Sequence, residues 1–276
     1  MRFALRCWVP SLKNFCNIHE LKMEQLSVLS KYILNEDHVG TNNCFNEIIL
    51  ENLEDKNIFS KLTIFDKWFI LTFLRAVNIS SIVYIQTTTT LQAPCNIEID
   101  LFDVLTEFSE LPLPYNLTTE IESVKFNLKM PANLYSDNIV FETLKSISIE
   151  NTTVDIDIKS FNELFKNAPV YLKVLANFLT AQDLQFKNIF LIKKQENVNL
   201  QNVPLKLYDK TLFFFLRSIY LPFCKSVFNK KYRLLRHVGL SHDAIDKLTF
   251  AECEIFINQY VAEENEKKSK QNISGR

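Results

Sequence analysis

An α+β fold, with helical N- and C-terminal parts around a small, mostly antiparallel β-module, is what this 276-residue sequence predicts. Three observations carry the expectation. Apolar residues recur at helical spacing before residue 80 and again after residue 159, while period-two alternation fills the stretch between. Thr63, Ser160 and Thr249 each stand three residues ahead of an acid at the head of an apolar run, the pattern of a helix capping box. The divisions that follow are 1–79 for an N-terminal hairpin and helices, 80–158 for an acidic β-module, and 159–276 for a helical C-terminal region with a short hairpin.

Phe3, Leu5, Cys7 and Val9 alternate as in a strand, and Pro10-Ser11 turns the chain into a second short apolar run through Phe15 and Ile18. Leu21, Leu26, Leu29 and Ile33 then place an amphipathic helix over Glu20 to Asn35, ended by a loop that contains Gly40. A second helix is expected over Asn46 to Leu53. A third opens at Thr63 and Asp66, with Phe65, Trp68, Phe69, Leu71 and Phe73 forming an apolar side that belongs in the core. Ile82 to Ile85, Ile97 to Leu101, Val124 to Leu128, Leu144 to Ile149 and Val154 to Ile158 read as strands, with a short helix near Leu101 to Phe108. Ser160 and Glu163 cap the next helix, which Pro169 should break. Ile189 to Lys193 and Val203 to Leu207 suggest a hairpin. From Asp209 a long helix places Leu216, Ile219, Phe223, Val227 and Leu234 on one side and Lys225, Arg233 and Arg236 on the other; Pro222 should kink it and Gly239 should end it. A last helix, capped by Thr249 and Glu252 with Leu248 and Cys253 as a hydrophobic staple, runs to about Glu264 and leaves a frayed polar tail.

Composition argues against bond-making chemistry. Only three glycines occur, so phosphate cradles and tight nucleophile turns are hard to build. The four histidines are His19, His38, His237 and His242; Ser241, His242 and Asp243 are adjacent and point in different directions, which suits a helix start better than a triad. Glu98, Asp100 and Asp103 read as the wet face of a strand and the start of a helix. Asp155 and Asp157 share a strand face without a His or Cys to complete a metal cage. The six cysteines are scattered with no CxxC pair. The expectations are therefore no catalytic residue, no cofactor, no metal and no small-molecule substrate. No signal peptide and no apolar run of about 18 residues is found, so no membrane span is expected and the chain is read as cytosolic.

Charge is more informative than motif. Between Arg75 and Lys125 seven acids occur without one Lys or Arg, whereas Lys210 to His237 holds seven bases and no acid. Net charge is only -1 and the pI is near 6.5, which argues against a nucleic-acid-binding domain. The basic stripe is then a solvated helix face or a docking face for an acidic surface, on this chain's own β-module or on a partner. Lys225, Arg233 and Arg236 are the candidate partner-binding residues.

The segment Leu62-Thr-Ile-Phe-Asp-Lys-Trp-Phe-Ile-Leu-Thr-Phe-Leu-Arg-Ala-Val-Asn-Ile-Ser-Ser81, followed by a β-insert and a helical C-terminal half, resembles the baseplate hub assembly proteins of T-even-type contractile-tailed phages. The stretch from His237 to Asn258 is similar to the end of such proteins and to phage tail assembly chaperones. The resemblance covers about half of the chain. It implies an assembly factor or minor hub component in the host cell cytoplasm or the virion baseplate, with tail and baseplate hub proteins as partners. Transient burial of aromatic-rich surface, oriented by charge, is the expected mechanism. Paired cysteines that suggest a zinc ribbon in that family have one counterpart here, Cys95, so no metal is carried over. A nucleic-acid-binding regulator is the alternative reading.

Overall fold

The computed structural model describes residues 4–88, 94–110, 116–121, 124–136, 139–149, 152–167, 169–173, 175, 177 and 210–274. The expected hairpin across 189–207 lies outside the described residues.

The chain opens with an antiparallel hairpin, β1 (Ala4–Val9) and β2 (Asn14–His19), as the alternation required. Helix α1 (Met23–Leu34) buries Leu26, Leu29 and Ile33 along the predicted stripe. Helix α2 (His38–Asn52) starts eight residues earlier than expected, and Gly40 lies in its first turn instead of a loop. Asp37 caps that helix by accepting from the Gly40 N–H at 2.7 Å. A Cβ at position 40 would stand 2.3 Å from Cδ1 of Tyr32, so glycine there admits the ring of the preceding helix.

Helix α3 (Ile64–Asn78) is the centre of the molecule, with twelve of its residues buried. Its capping box forms as predicted: Thr63 N–H donates to Asp66 Oδ2 at 2.7 Å, and Asp66 N–H donates to Thr63 Oγ1 at 3.4 Å. Asp66 is itself fully buried and also accepts from Ser11 N–H at 2.8 Å and Ser11 Oγ–H at 2.6 Å, which ties the hairpin turn to the helix start. The apolar faces of α1, α2 and α3 converge on one large core.

The β-rich stretch divides into two sheets. β3 (Ile82–Thr88) pairs with β4 (Pro94–Asp100), and α4 (Leu101–Ser109) returns Leu101, Val104, Leu105 and Phe108 to the large core. The remaining strands, β5 (Asn116–Ile121), β6 (Val124–Lys129), β7 (Leu144–Ile149) and β8 (Thr152–Asp155), make a four-stranded antiparallel meander, with α5 (Ile139–Thr143) ahead of β7. Phe126, Leu128, Leu144 and Ile147 on this sheet pack with Phe161 of α6 (Ile158–Asn167) and with Leu175 into a second, smaller core. The cap of α6 differs from expectation: Asp157 accepts from Ser160 N–H at 2.7 Å, so Ser160 sits inside the first turn and Asp157 is the cap. Those bonds to Ser160 hold the Asp157 carboxyl below its usual range. The helix stops at Asn167, two residues ahead of Pro169.

Helix α7 (Thr211–Arg233) lays Leu216, Ile219, Phe223 and Val227 against α1 and α3, as the wheel indicated, and runs through Pro222 as one helix. A π turn (Leu234–Val238) follows, closed by Gly239 at φ 78°. Helix α8 (His242–Asp246) and helix α9 (Phe250–Ser274) complete the chain. The Thr249–Glu252 box caps α9, through bonds of 2.7 and 3.2 Å. That helix continues to Ser274, ten residues past the predicted end, with Lys267–Glu264 and Lys270–Glu266 pairs along its exposed surface.

Two predictions follow from α3. Replacing Asp66 by Ala strands four buried or half-buried donors and should lower stability by about 3 kcal/mol or more in urea unfolding. Lys67 is the second. It is 4% exposed, its Nζ donates to Asn46 Oδ1 at 2.8 Å, and burial pushes its ammonium down to about 8. The unfolded chain, near the ordinary lysine value of about 10.4, holds the proton more tightly, so stability should rise as pH climbs through that window. Relative to Lys67→Met, the wild type should gain about 2–3 kcal/mol between pH 7 and pH 10.

Candidate functional site

The seven bases of the basic run part into two groups in the fold. Lys210 lies 4.2 Å from the ring centroid of Tyr135. Arg217 donates to the Ile33 carbonyl at 3.3 Å and pairs with Glu36 at 3.5 Å. Lys230 pairs with Glu254 while standing 4.3 Å from the centroid of Phe250, and burial lowers its ammonium from the usual range. Lys231 pairs with Asp246. These four bases fasten α7 to its neighbours. The acids they meet, Glu36, Asp246 and Glu254, all lie outside the acidic segment of the β-rich region.

Lys225, Arg233 and Arg236 form the other group. All three are exposed, and among the described residues none makes an ion pair or hydrogen bond. They extend over the second half of α7 and the π turn, about 16 Å along the axis at the helical rise. The fold thus leaves all three sequence candidates exposed on consecutive parts of α7 and the π turn.

The π turn shapes what lies beside them. Gly239 in the left-handed region lets the Leu240 N–H reach back to the Leu234 carbonyl at 3.2 Å, which ends the long helix and turns His237 toward α9. The His237 ring lies 5.7 Å from that of Tyr260. Between the π turn and α9 opens a concavity of about 300 Å³. Val238, Ile257 and Val261 give it an apolar lining and Tyr260 an aromatic one, while Arg233 and Lys268 bring positive charge and Glu264 negative charge to it. Only Arg233 was singled out from the sequence. The Lys268 contribution was hidden because the tail of α9 carries no core-directed periodicity.

A second concavity, of about 440 Å³, lies at the other side of α3. Arg6, Trp8 and Phe15 of the hairpin, Phe69 and Phe73 of α3, and Phe102 of α4 surround it. Phe15 and Phe102 are half exposed, and Arg6 rests 4.9 Å from the Phe15 ring centroid. The sequence signalled aromatic abundance without showing that three separate segments would pool it.

Among the described residues there is no group of three or more His, Cys, Asp or Glu side chains arranged to hold a metal ion, and no helix long and apolar enough to cross a membrane. No family model, curated protein or solved structure matches this chain.

Gly239 supplies a test of the π turn. A Cβ at this position meets nothing within 4 Å, so the cost of substitution is the backbone conformation alone. Gly239→Ala should lose about 1–2 kcal/mol in denaturant unfolding, with no packing defect elsewhere.

Proposed function

We propose that this protein acts by binding another protein, one with an acidic surface, through the part of α7 and the π turn that carries Lys225, Arg233 and Arg236. The observation that carries the reading is the partition of the basic run: four bases are consumed by internal contacts, the other three are left exposed, and one of these, Arg233, lines a concavity that is partly apolar. Complementary charge steers encounter and fixes orientation, while buried apolar and aromatic anchors supply affinity. The aromatic concavity around Trp8 and Phe15 offers a second surface of the kind that exposed apolar patches mark.

The narrower reading is a phage baseplate hub assembly factor or minor hub component, with tail and hub proteins as partners in the host cytoplasm. The likeness of Leu62 to Ser81 and of His237 to Asn258 to that family supports it. The segment from His237 to Asn258 forms the π turn, α8 and the start of α9, so the resembling stretch borders the proposed surface.

The test is co-expression with contractile-tail baseplate and hub proteins, followed by affinity purification. The triple variant Lys225→Glu, Arg233→Glu, Arg236→Glu should reduce the recovered partner at least about tenfold while leaving the unfolding midpoint unchanged, because exposed charges contribute little to stability. Recovery equal to wild type would remove this surface from the proposal. Tight binding of duplex DNA at physiological salt, with affinity falling steeply as salt rises, would favour the nucleic-acid reading instead.

A further inference from the structure

We propose that Cys7 and Cys16 are a disulfide-forming pair, oxidised by a peroxide, which cross-links the two strands of the N-terminal hairpin. The two residues are direct partners in the β1–β2 register and are both free thiols in this structure. Facing side chains in an antiparallel pair have Cβ atoms about 4.5–5.5 Å apart, close to the approach of about 3.5–4.5 Å that a disulfide needs. Both thiols lie on the inner face of the hairpin, at 0% and 5% exposure, with Val9 and Ile18 beside them. Arg6, Trp8, Phe15 and Asn17 occupy the outer face.

The register sets the two side chains face to face, and Cys7 Sγ donates to the Trp8 carbonyl at 3.5 Å. Hydrogen bonding with Cys16 pushes the Cys7 thiol well up, with burial adding to the effect, and the same bond lowers Cys16 against the opposing effect of burial. Cys44, Cys224 and Cys253 are on separate helices and are driven the other way by burial: Cys44 is pushed up to about 12, Cys253 to about 11, and Cys224 is raised. Among these five Cys16 is the one lowered, and Cys7, its partner in the register, is the neighbour placed to resolve its oxidation.

The chemistry balances with hydrogen peroxide as oxidant. The Cys16 thiolate attacks one peroxide oxygen, the O–O bond breaks, and hydroxide leaves to take up a proton as water, giving a sulfenic acid. The Cys7 sulfur then attacks the Cys16 sulfur. The S–S bond forms, the S–O bond breaks, and the departing hydroxide leaves as water with the Cys7 proton. Two thiols and one peroxide become one disulfide and two waters. Peroxide reaches the pair when the hairpin opens locally, so opening limits the rate. The product ties together the strands that carry Arg6, Trp8 and Phe15, and so stiffens one wall of the aromatic concavity.

The experiment treats the folded full-length protein with equimolar hydrogen peroxide, then alkylates it after unfolding and maps the peptides by mass spectrometry. The expected product is lighter by two hydrogens, keeps four of its six thiols open to alkylation, and yields a peptide joining Cys7 to Cys16. In Cys7→Ser, dimedone should capture Cys16 as its sulfenic acid; in Cys16→Ser, Cys7 should remain a thiol. Recovery of Cys7 and Cys16 as alkylated thiols from oxidised wild type, or a bridge from either to another cysteine, would overturn the proposal. The wild-type map decides even if a serine variant fails to fold.

Discussion

Helix α3 is buried around nearly its whole circumference, and its charged side chains and Asn78 find their partners in other parts of the chain, whereas Trp68 Nε1 and Thr72 Oγ1 are buried without one among the described residues. That constraint organises the large core. Asp66 takes the hairpin turn through Ser11, and Lys67 takes α2 through Asn46. Arg75, 4% exposed, donates from Nε to the Ile219 carbonyl at 3.0 Å and from an Nη to the Ser80 carbonyl at 2.7 Å. Its guanidinium also lies 5.6 Å from the Phe223 ring centroid, and desolvation lowers its affinity for the proton. Arginine suits this place better than lysine, because its planar fork can serve two carbonyls and an aromatic face at once. Tyr220 Oη donates to the Leu71 carbonyl at 2.9 Å, and Asn78 Oδ1 accepts from Leu21 N–H at 2.9 Å. Five polar side chains thus fix where the hairpin, α1, α2 and α7 sit around one helix.

The same anchoring decides which part of α7 is free. Arg75 and Tyr220 pin its first half, and Leu216, Ile219 and Phe223 complete the burial. Past Pro222 the helix keeps Val227 in the core but turns Lys225 and Arg233 outward. Proline removes one N–H from the ladder, yet its ring is on the exposed side, where water can serve the Ser218 carbonyl that lost its donor. The π turn then re-aims the next residues, so that Arg236 stays in solvent while His237 faces Tyr260.

Much of this was legible because local chemistry determined it. The Thr63–Asp66 and Thr249–Glu252 boxes, the first hairpin and the left-handed Gly239 follow from short-range bonding that no tertiary contact overrides. The failures have equally physical causes. Gly40 resembled a helix breaker, because the Tyr32 ring that needs the missing Cβ is eight residues away. Ser160 and Glu163 matched a capping pattern, but Asp157 reached the same N–H first. The burial of Asp66, Lys67 and Arg75 could not be read from the helix itself, since it depends on the hairpin, α2 and α7, which come from distant parts of the chain. The strands of the β-rich region showed alternation but not partners, and pairing divided them between two sheets. For the candidate site, Lys225, Arg233 and Arg236 could be read from a helical wheel, whereas the apolar lining from α9 could not.

The partition of charge bears on how such a surface would work. An exposed ion pair is worth about 0–1 kcal/mol, so three exposed cations cannot by themselves hold a partner. The concavity that Arg233 lines also presents Val238, Ile257, Tyr260 and Val261, and burial of a single large apolar side chain there would contribute about 1.5–3 kcal/mol. Affinity therefore resides in the apolar lining, and the cations select which apolar anchor arrives and in what orientation. A chain with net charge near zero needs such segregation, because its far field is weak and only a local cluster can steer. Spending Lys210, Arg217, Lys230 and Lys231 on internal contacts serves that end: it leaves Lys225, Arg233 and Arg236 as the exposed charges of the basic run, with Arg233 at the concavity.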